Sequence, residues 1–422
     1  MEVLNHLLQS VGIFILTLPN YAFIAIIMTI LCLIFRGGVQ TSIRGGLSFG
    51  VGIIGITMLM NIAIESLTPA VEALSERFGL SLTIIDLGYA AANNIMMFPG
   101  AFIVMFGILL IDIVLLLLKW TKTLWVDMHN VWHGSYVGLI AWVITEKVWL
   151  SVLIAFAALI ISLKLADLHA KRFQEFNEIG NITLIATAAT IPATFSMLVM
   201  KIIERIPGLN KIGIQSDDLK ERFGVWGENM TIGAIIGLLI AIFAGYNFAN
   251  CMAVSLTLAA MLGLFPKMAG LLMEGIIPLS TAVTLFMKKR FKDRALNITV
   301  DGAVLLGHPS VMSTFVLMVP ISVLVAIAIP GIGFIPIASL TALPYYIGAI
   351  VPYTKGNLVH TLIVSTLWII VTSLIATQMA GVITHGLEMT GFYTEEIAKG
   401  NMFTFWDEGG NIFTWIISLF AN

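Results

Sequence analysis

FTFWDEGGNIFTW, residues 403–415, is the stretch on which the reading of this chain turns. Aromatic residues flank Asp407, Glu408, two glycines and Asn411 near the end of a very apolar sequence. A second stretch, FNEIGNITL at 176–184, repeats the order: aromatic, acid or amide, Glu, spacer, Gly, Asn, Ile. Glu178 and Glu408 lie 230 positions apart, a little over half of the 422 residues. A glycine-loosened backbone frees N–H and C=O groups, which inside a bilayer must face protein or water rather than lipid. Intramembrane carboxylates persist where they are paired or line a wet cavity. Acids and amides beside such a break can therefore serve a polar solute.

The composition agrees. Hydrophobic residues make up 59% of the chain and charged residues only 11%, too few charges to cover a soluble protein of this length. An integral membrane protein is implied. A net charge of −2 gives no support for nucleic-acid binding. Cys32 and Cys251 sit in apolar runs and form neither a CxxC nor a metal spacing. No basic region precedes the first apolar run, so no cleavable signal peptide is expected.

At roughly 20 apolar residues per crossing, ten spans are expected, at about 11–35, 43–66, 95–118, 130–147, 148–166, 229–246, 248–265, 311–330, 332–352 and 358–379. Glu146 and Lys147 mark a tight exposed turn. The stretch 182–203 opens on polar residues and contains Pro192, which points to a re-entrant hairpin or a broken segment. With the N-terminus outside, all 22 Lys and Arg residues except Arg77, Lys147 and Lys399 fall on the inner face, as the positive-inside rule favours.

Further landmarks recur in order. Glu65, Pro69 and Asp86 in one half match Glu274, Pro278 and Asp301 in the other, at offsets of 209, 209 and 215. Each set joins an amphipathic stretch, about 69–79 or 270–292, to an alternating apolar run. Five spans per half would make the second half enter from the opposite side. The expected fold is thus an all-α polytopic membrane protein of two inverted five-helix repeats, with re-entrant hairpins and amphipathic surface helices.

Four polar clusters fit a midplane site. The first is Asp86 with Asn93 and Asn94; the second is Asp127, His129, Asn130, His133 and Tyr136. The third is Asn177, Glu178, Asn181 and Thr183; the fourth joins Asp301 and His308 to Asp407, Glu408 and Asn411. Of these, Asp86, His133, Glu178, Asn181, Asp301, His308, Asp407, Glu408 and Asn411 are the candidate solute-binding residues. Structural alternatives stand beside them: Asp86 as a helix cap, Asp127 and His129 as interfacial anchors, Asp301 and His308 as a turn, and Glu178 and Glu408 paired with central-loop bases. His129 and His133 stand at i,i+4, but without HExxH or a third ligand at sensible spacing no metal is expected. No cofactor and no autonomous catalytic centre are expected.

Several long motifs carry a family resemblance. VDMHNVWH, the run IIERIPGLNKIGIQSDDLKERFG ahead of GENMTIGAIIGLLIAIFAGY, DGAVLLGHPSV, KGNLVHTLI, LIATQ and WDEGGNIFTW resemble the galactitol-type enzyme IIC of the bacterial phosphoenolpyruvate-dependent phosphotransferase system. The resemblance extends to kinship with that system's ascorbate-type transporters. It implies a sugar- or polyol-translocating permease of the bacterial inner membrane, working by an elevator movement as a homodimer. A separate cytoplasmic enzyme IIB, itself phosphorylated by enzyme IIA, would phosphorylate the solute. Residues 1–80 and 229–295 would form the scaffold, and 81–228 and 296–422 the moving core. The basic stretches 201–222 and 288–294 suit either a dock for a phosphorylated partner or a plain topology signal. From Glu178 to Thr194 the chain is less polar than the family pattern, which leaves room for another pentitol, hexitol or sugar. An ion-coupled secondary transporter of inverted-repeat architecture is the alternative reading.

Overall fold

The structure, a computed structural model, describes residues 19–77, 84–127, 129–209, 212–213, 224–290 and 296–420. It is mostly helical. Helix α1 (Asn20–Ile34) leads into α2 (Val39–Arg77), a helix of 39 residues. Strand β1 (Ile84–Asp86) and a 3-10 segment (Gly88–Met97) precede α3 (Ala101–Leu117). Then come β2 (Thr123–Leu124), α4 (Trp132–Thr145), α5 (Val148–Asn177), β3 (Ile182–Thr183) and α6 (Thr187–Ile203). The second half runs α7 (Asn229–Phe243), α8 (Phe248–Arg290), β4 (Asn297–Thr299), a 3-10 segment (Gly302–Gly307) and α9 (Pro309–Ala328). It continues with α10 (Leu343–Thr354), α11 (Leu358–Met389), α12 (Thr394–Ala398), β5 (Met402–Thr404) and α13 (Ile412–Ser418).

Four stretches among the described residues are long and apolar enough to cross a bilayer: Val39–Leu59, Val148–Asn177, Ser310–Ala328 and Leu358–Met389. They coincide with four of the expected spans. Shorter apolar helices, among them Ala101–Leu117, Met230–Phe243 and Phe248–Leu264, occupy three more expected positions. The turn at Glu146 and Lys147 is present, with Glu146 ending α4 in the left-handed region at φ 56°.

Two expectations are corrected. The run 332–352 is not one helix. Pro330, Gly331, Gly333 and Pro336 deny it a continuous helical ladder, so it forms a loop, a 3-10 turn (Ala338–Thr341) and only then α10. The amphipathic stretches 69–79 and 270–292 are not separate surface helices either: up to Arg77 and Arg290 they continue α2 and α8 without interruption, and Pro69 lies inside α2. Residues 291–295, which complete the basic run, lie outside the described residues, as does most of 210–223.

At 1.5 Å per residue, α2 and the 43-residue α8 are about 58 and 65 Å long, well beyond a bilayer core of about 30 Å. They pack against each other, and glycine sets how closely. A Cβ on Gly275 would lie 2.4 Å from the Phe49 backbone nitrogen and 2.7 Å from the Gly45 carbonyl oxygen. Small residues at such crossings let helix backbones touch, which is how helices gain contact energy in lipid.

Among the described residues the strands are few and short, but each of their pairings joins the two halves. β1 pairs in parallel with β5, matching Asp86 to Thr404. β4 lies between β2 and β3, parallel to both, matching Ile298 to Leu124 and to Ile182. These ladders satisfy backbone groups that lipid could not. They also aim the residues that follow each strand.

Candidate functional site

Four strands are followed within a few residues by a side chain of one polar cluster: Asp127 and Asn130 after β2, Thr187 after β3, Asp301 after β4, and Asp407 and Glu408 after β5. The first helical turn of α4 adds His133.

The loop from Trp406 to Asn411 is shaped by its glycines. A Cβ on Gly410 would lie 2.0 Å from Thr372 Oγ1, and one on Gly409 would lie 2.3 Å from the Phe405 carbonyl oxygen. Only glycine allows this turn to sit so close to α11. Trp406 is fully buried and its Nε1 donates to Ser373 Oγ at 2.8 Å. Asn411 caps α13 by accepting from the Phe413 backbone N–H at 2.8 Å. On the other side, the Thr299 hydroxyl accepts the Val126 and Asp127 backbone N–H groups, both at 2.9 Å, and fixes these two residues to β4.

At the centre, His133 Nδ1 lies 2.5 Å from Glu408 Oε1. Glu408 is completely buried. It also accepts hydrogen bonds from Thr187 Oγ1 at Oε1 and from Asn411 Nδ2 at Oε2. His133 Nε2 faces Asn130 Oδ1 at 3.2 Å. Asn130 Nδ2 donates to Asp127 Oδ2 and, at 3.3 Å, to Asp301 Oδ2. Proton bookkeeping follows from these partners. The Asn130 amide spends its N–H groups on carboxylates, so its oxygen takes the His133 Nε2–H. The short Nδ1–Oε1 contact then holds one further proton, shared by imidazole and carboxylate. Trp132 stacks on the His133 ring with centroids 4.0 Å apart.

A cavity of about 300 Å³ opens beside this cluster. Asn130, His133, Asp301 and Asp407 supply polar lining, Trp132, Tyr345 and Phe405 supply aromatic surface, and Thr57 and Asn61 of α2 close one side. Asp407 Oδ1 is 3.8 Å from His133 Nδ1, is buried, and has no hydrogen-bond partner among the described residues. The Asp407 residue itself belongs to the cavity lining. The donor atoms of His133, Asp407 and Glu408 all lie within 4.8 Å of one another, a spacing a cation can bridge. His133 and Glu408, however, already bond each other.

The structure thus brings together five of the nine candidate residues: His133, Asp301, Asp407, Glu408 and Asn411. The other four lie elsewhere. Glu178 is exposed and ends α5 at φ 56°. Asn181, at φ 58°, offers its carbonyl to the Ile298 N–H beside β4. His308 caps α9 by accepting from Ser310 N, and its ring packs on Phe176. Asp86 is not among the cavity-lining residues and caps no helix, since Leu87 holds the N-cap position of the 3-10 segment; its carboxylate accepts from the Gly88 and Ser339 backbones. Asn94 bonds Thr390 near the end of α11. The side chains of Asn93 and His129 lie outside the described residues. Thr187, Ser339, Tyr345, Thr57 and Asn61 escaped sequence reading. A threonine in an apolar run carries no charge signal, and only the break at 330–341 hinted at Ser339.

The EIIC-GAT family model, described as a PTS system sugar-specific permease component, matches residues 14–402. The chain belongs to this family. A chain of Escherichia coli (strain K12) named as a permease IIC component is 33% identical over 421 residues, covering 96% of this chain and 92% of that one. The galactitol-specific EIIC components of Escherichia coli (strain K12) and of Escherichia coli O157:H7 are each 29% identical over 379 residues, covering 89% of this chain and 82% of theirs. As a sugar-specific EIIC component, the protein is a membrane-embedded transport subunit of a phosphotransferase system. The apolar helices suit that setting.

Proposed function

We propose that this permease carries a galactitol-like polyol or sugar inward and presents it to a separate cytoplasmic enzyme IIB for phosphorylation. The observation that carries the reading is the cavity beside the His133–Glu408 pair, walled by residues of both halves and by α2. Polyhydroxyl solutes are held by carboxylates and amides that take and give several hydrogen bonds. Asp407, Asp301 and Asn130 are such groups, and Trp132, Tyr345 and Phe405 offer apolar faces to the carbon skeleton. Among the described residues no lysine or arginine lines the cavity, which favours a neutral solute over an anionic one. The galactitol-specific names of two relatives point the same way.

In this proposal the His133–Glu408 pair, 3.8 Å from Asp407, positions that carboxylate beside the solute hydroxyl that receives the phosphoryl group. The Asp407 carboxylate, which lines the cavity, takes the hydroxyl proton as the bond to phosphorus forms and the bond between phosphorus and the partner's leaving group breaks. Ile56, Thr57 and Asn61 belong to α2, assigned to the scaffold, while the remaining walls come from the core. A sliding core would carry the solute away from α2, the elevator movement. Like elements also occupy like positions in the two halves: a long helix, a strand, an Asp at or just after it, and a 3-10 segment. That order supports two inverted repeats. A homodimer in the bacterial inner membrane, N-terminus outside, completes the proposal.

The test is a thermal-shift panel of polyols and sugars on purified protein, repeated with His133→Ala and Glu408→Gln. Stabilisation of the parent by one neutral solute, lost in both variants, supports the assignment; unchanged shifts in both would refute it. The His133, Asp407 and Glu408 trio also gives the ion-coupled reading one supporting observation. Uptake into vesicles abolished by a Na⁺ or proton ionophore, yet indifferent to enzyme IIB, would favour that reading instead.

A further inference from the structure

We infer that Ser339, anchored by Asp86, is a positioning residue that sets the Trp406–Asn411 loop against His133. The inference rests on the proposed reading of the cavity as the solute site. Ser339 lies in the 3-10 turn Ala338–Thr341, between the broken run 330–337 and α10, and it is buried.

Its contacts form a chain of three links. Asp86 Oδ2 accepts the Ser339 backbone N–H at 2.8 Å, and Asp86 Oδ1 accepts the Ser339 hydroxyl at 2.6 Å and the Gly88 N–H at 3.0 Å. With its proton committed to Asp86, the Ser339 oxygen presents a lone pair to the Trp406 backbone N–H, at 2.9 Å. Trp406 immediately precedes Asp407 and Glu408. The Leu87 N–H also donates to the Thr404 carbonyl at 2.9 Å, so backbone and side-chain links tie the same two segments together.

Two features separate this from a generic buried hydrogen bond. Both oxygens of the Asp86 carboxylate are taken up by neighbouring donors, so Asp86 is spent on orientation rather than on solute. Ser339 has no second route: its N–H and O–H both go to Asp86, and its oxygen goes to Trp406. The tryptophan ring, by contrast, is held independently by Ser373. Loss of the Ser339 hydroxyl therefore releases the backbone at residue 406 while the ring keeps its anchor. The loop keeps its fold but loses register where Asp407 meets the cavity and Glu408 meets His133.

The experiment compares the parent, Ser339→Ala, Ser339→Thr and Asp86→Asn, all purified in detergent. Hydrogen exchange is followed by mass spectrometry on peptides covering 403–411, and galactitol affinity by calorimetry. Ser339→Ala is expected to speed exchange at 406–411 by about tenfold, the scale of one lost buried hydrogen bond, with peptides of α10 and α11 unchanged. Galactitol binding should weaken by about tenfold for the same reason. Asp86→Asn, which turns a donor toward donors, should reproduce both effects, and Ser339→Thr should restore both. Exchange at 406–411 that matches the parent in Ser339→Ala and Asp86→Asn overturns the inference, whatever binds. Faster exchange with undiminished galactitol binding overturns it as well. A parent that binds no polyol counts against the solute reading alone, and the exchange measurements still decide the coupling.

Discussion

The segments Phe176–Asn181 and Trp406–Asn411 share a pattern and have opposite fates. Glu178 stands exposed at the end of a helix, whereas Glu408 is fully buried against His133, Thr187 and Asn411. The difference lies in position relative to the strand. Glu178 precedes β3, while Glu408 follows β5. Counting from the strands instead, Thr187 sits four residues beyond Thr183 just as Glu408 sits four beyond Thr404, and these two side chains bond across 221 positions of sequence. The strand is the ruler. A motif match aligns letters, but the strand decides which letter reaches the cavity.

Glu408→Gln should therefore have the largest effect, a loss of solute phosphorylation of about a hundredfold or more, as expected when the buried carboxylate that holds the site imidazole in place is neutralised. Phosphorylated product in vesicles supplied with enzymes IIA and IIB is the measure; parent-like rates would break the comparison. Gly410→Ala should come next. Its methyl would collide with Thr372, at a cost of about 1–3 kcal/mol, read as a lower unfolding midpoint in detergent, whereas Gly180→Ala, with open space around it, should leave the midpoint near the parent's. Thr187→Val keeps the shape and removes the hydroxyl, so polyol affinity should fall by about tenfold for one hydrogen bond to a carboxylate, sharpening the case for counting from the strand. The smallest change belongs to Glu178→Gln, expected within about twofold of the parent in the phosphorylation assay because exposed charges contribute little.

Much of this was legible from residue types alone. Charge and apolar length reveal a membrane protein, and four expected spans coincide with long apolar helices. His133, Asp301, Asp407 and Glu408 stood out because ionisable groups in apolar sequence are costly and need a reason. Which of several such groups converge was not legible. Glu178 and Asp86 look as site-like in sequence as Glu408. Only the three-dimensional supply of donors separates a cap, a brace and a site residue. Residues such as Thr187 and Ser339 carry no charge to betray them. Helix continuity through Pro69 was equally hidden, since a proline tolerated by its surroundings reads the same as one that breaks a helix.

The cross-half strand pairs have a consequence for biogenesis. The first arm leaves the ribosome with the amides of residues 84–86, 123–124 and 182–183 lacking their eventual mates, which are encoded more than a hundred residues downstream. An unmated backbone is poorly tolerated among acyl chains. Those short segments must wait in water, or in the shelter of the insertion machinery, until residues 297–299 and 402–404 have been made. The pairings therefore close only once residues 402–404 have been made, and a nascent chain stalled before residue 404 leaves β1 without its mate.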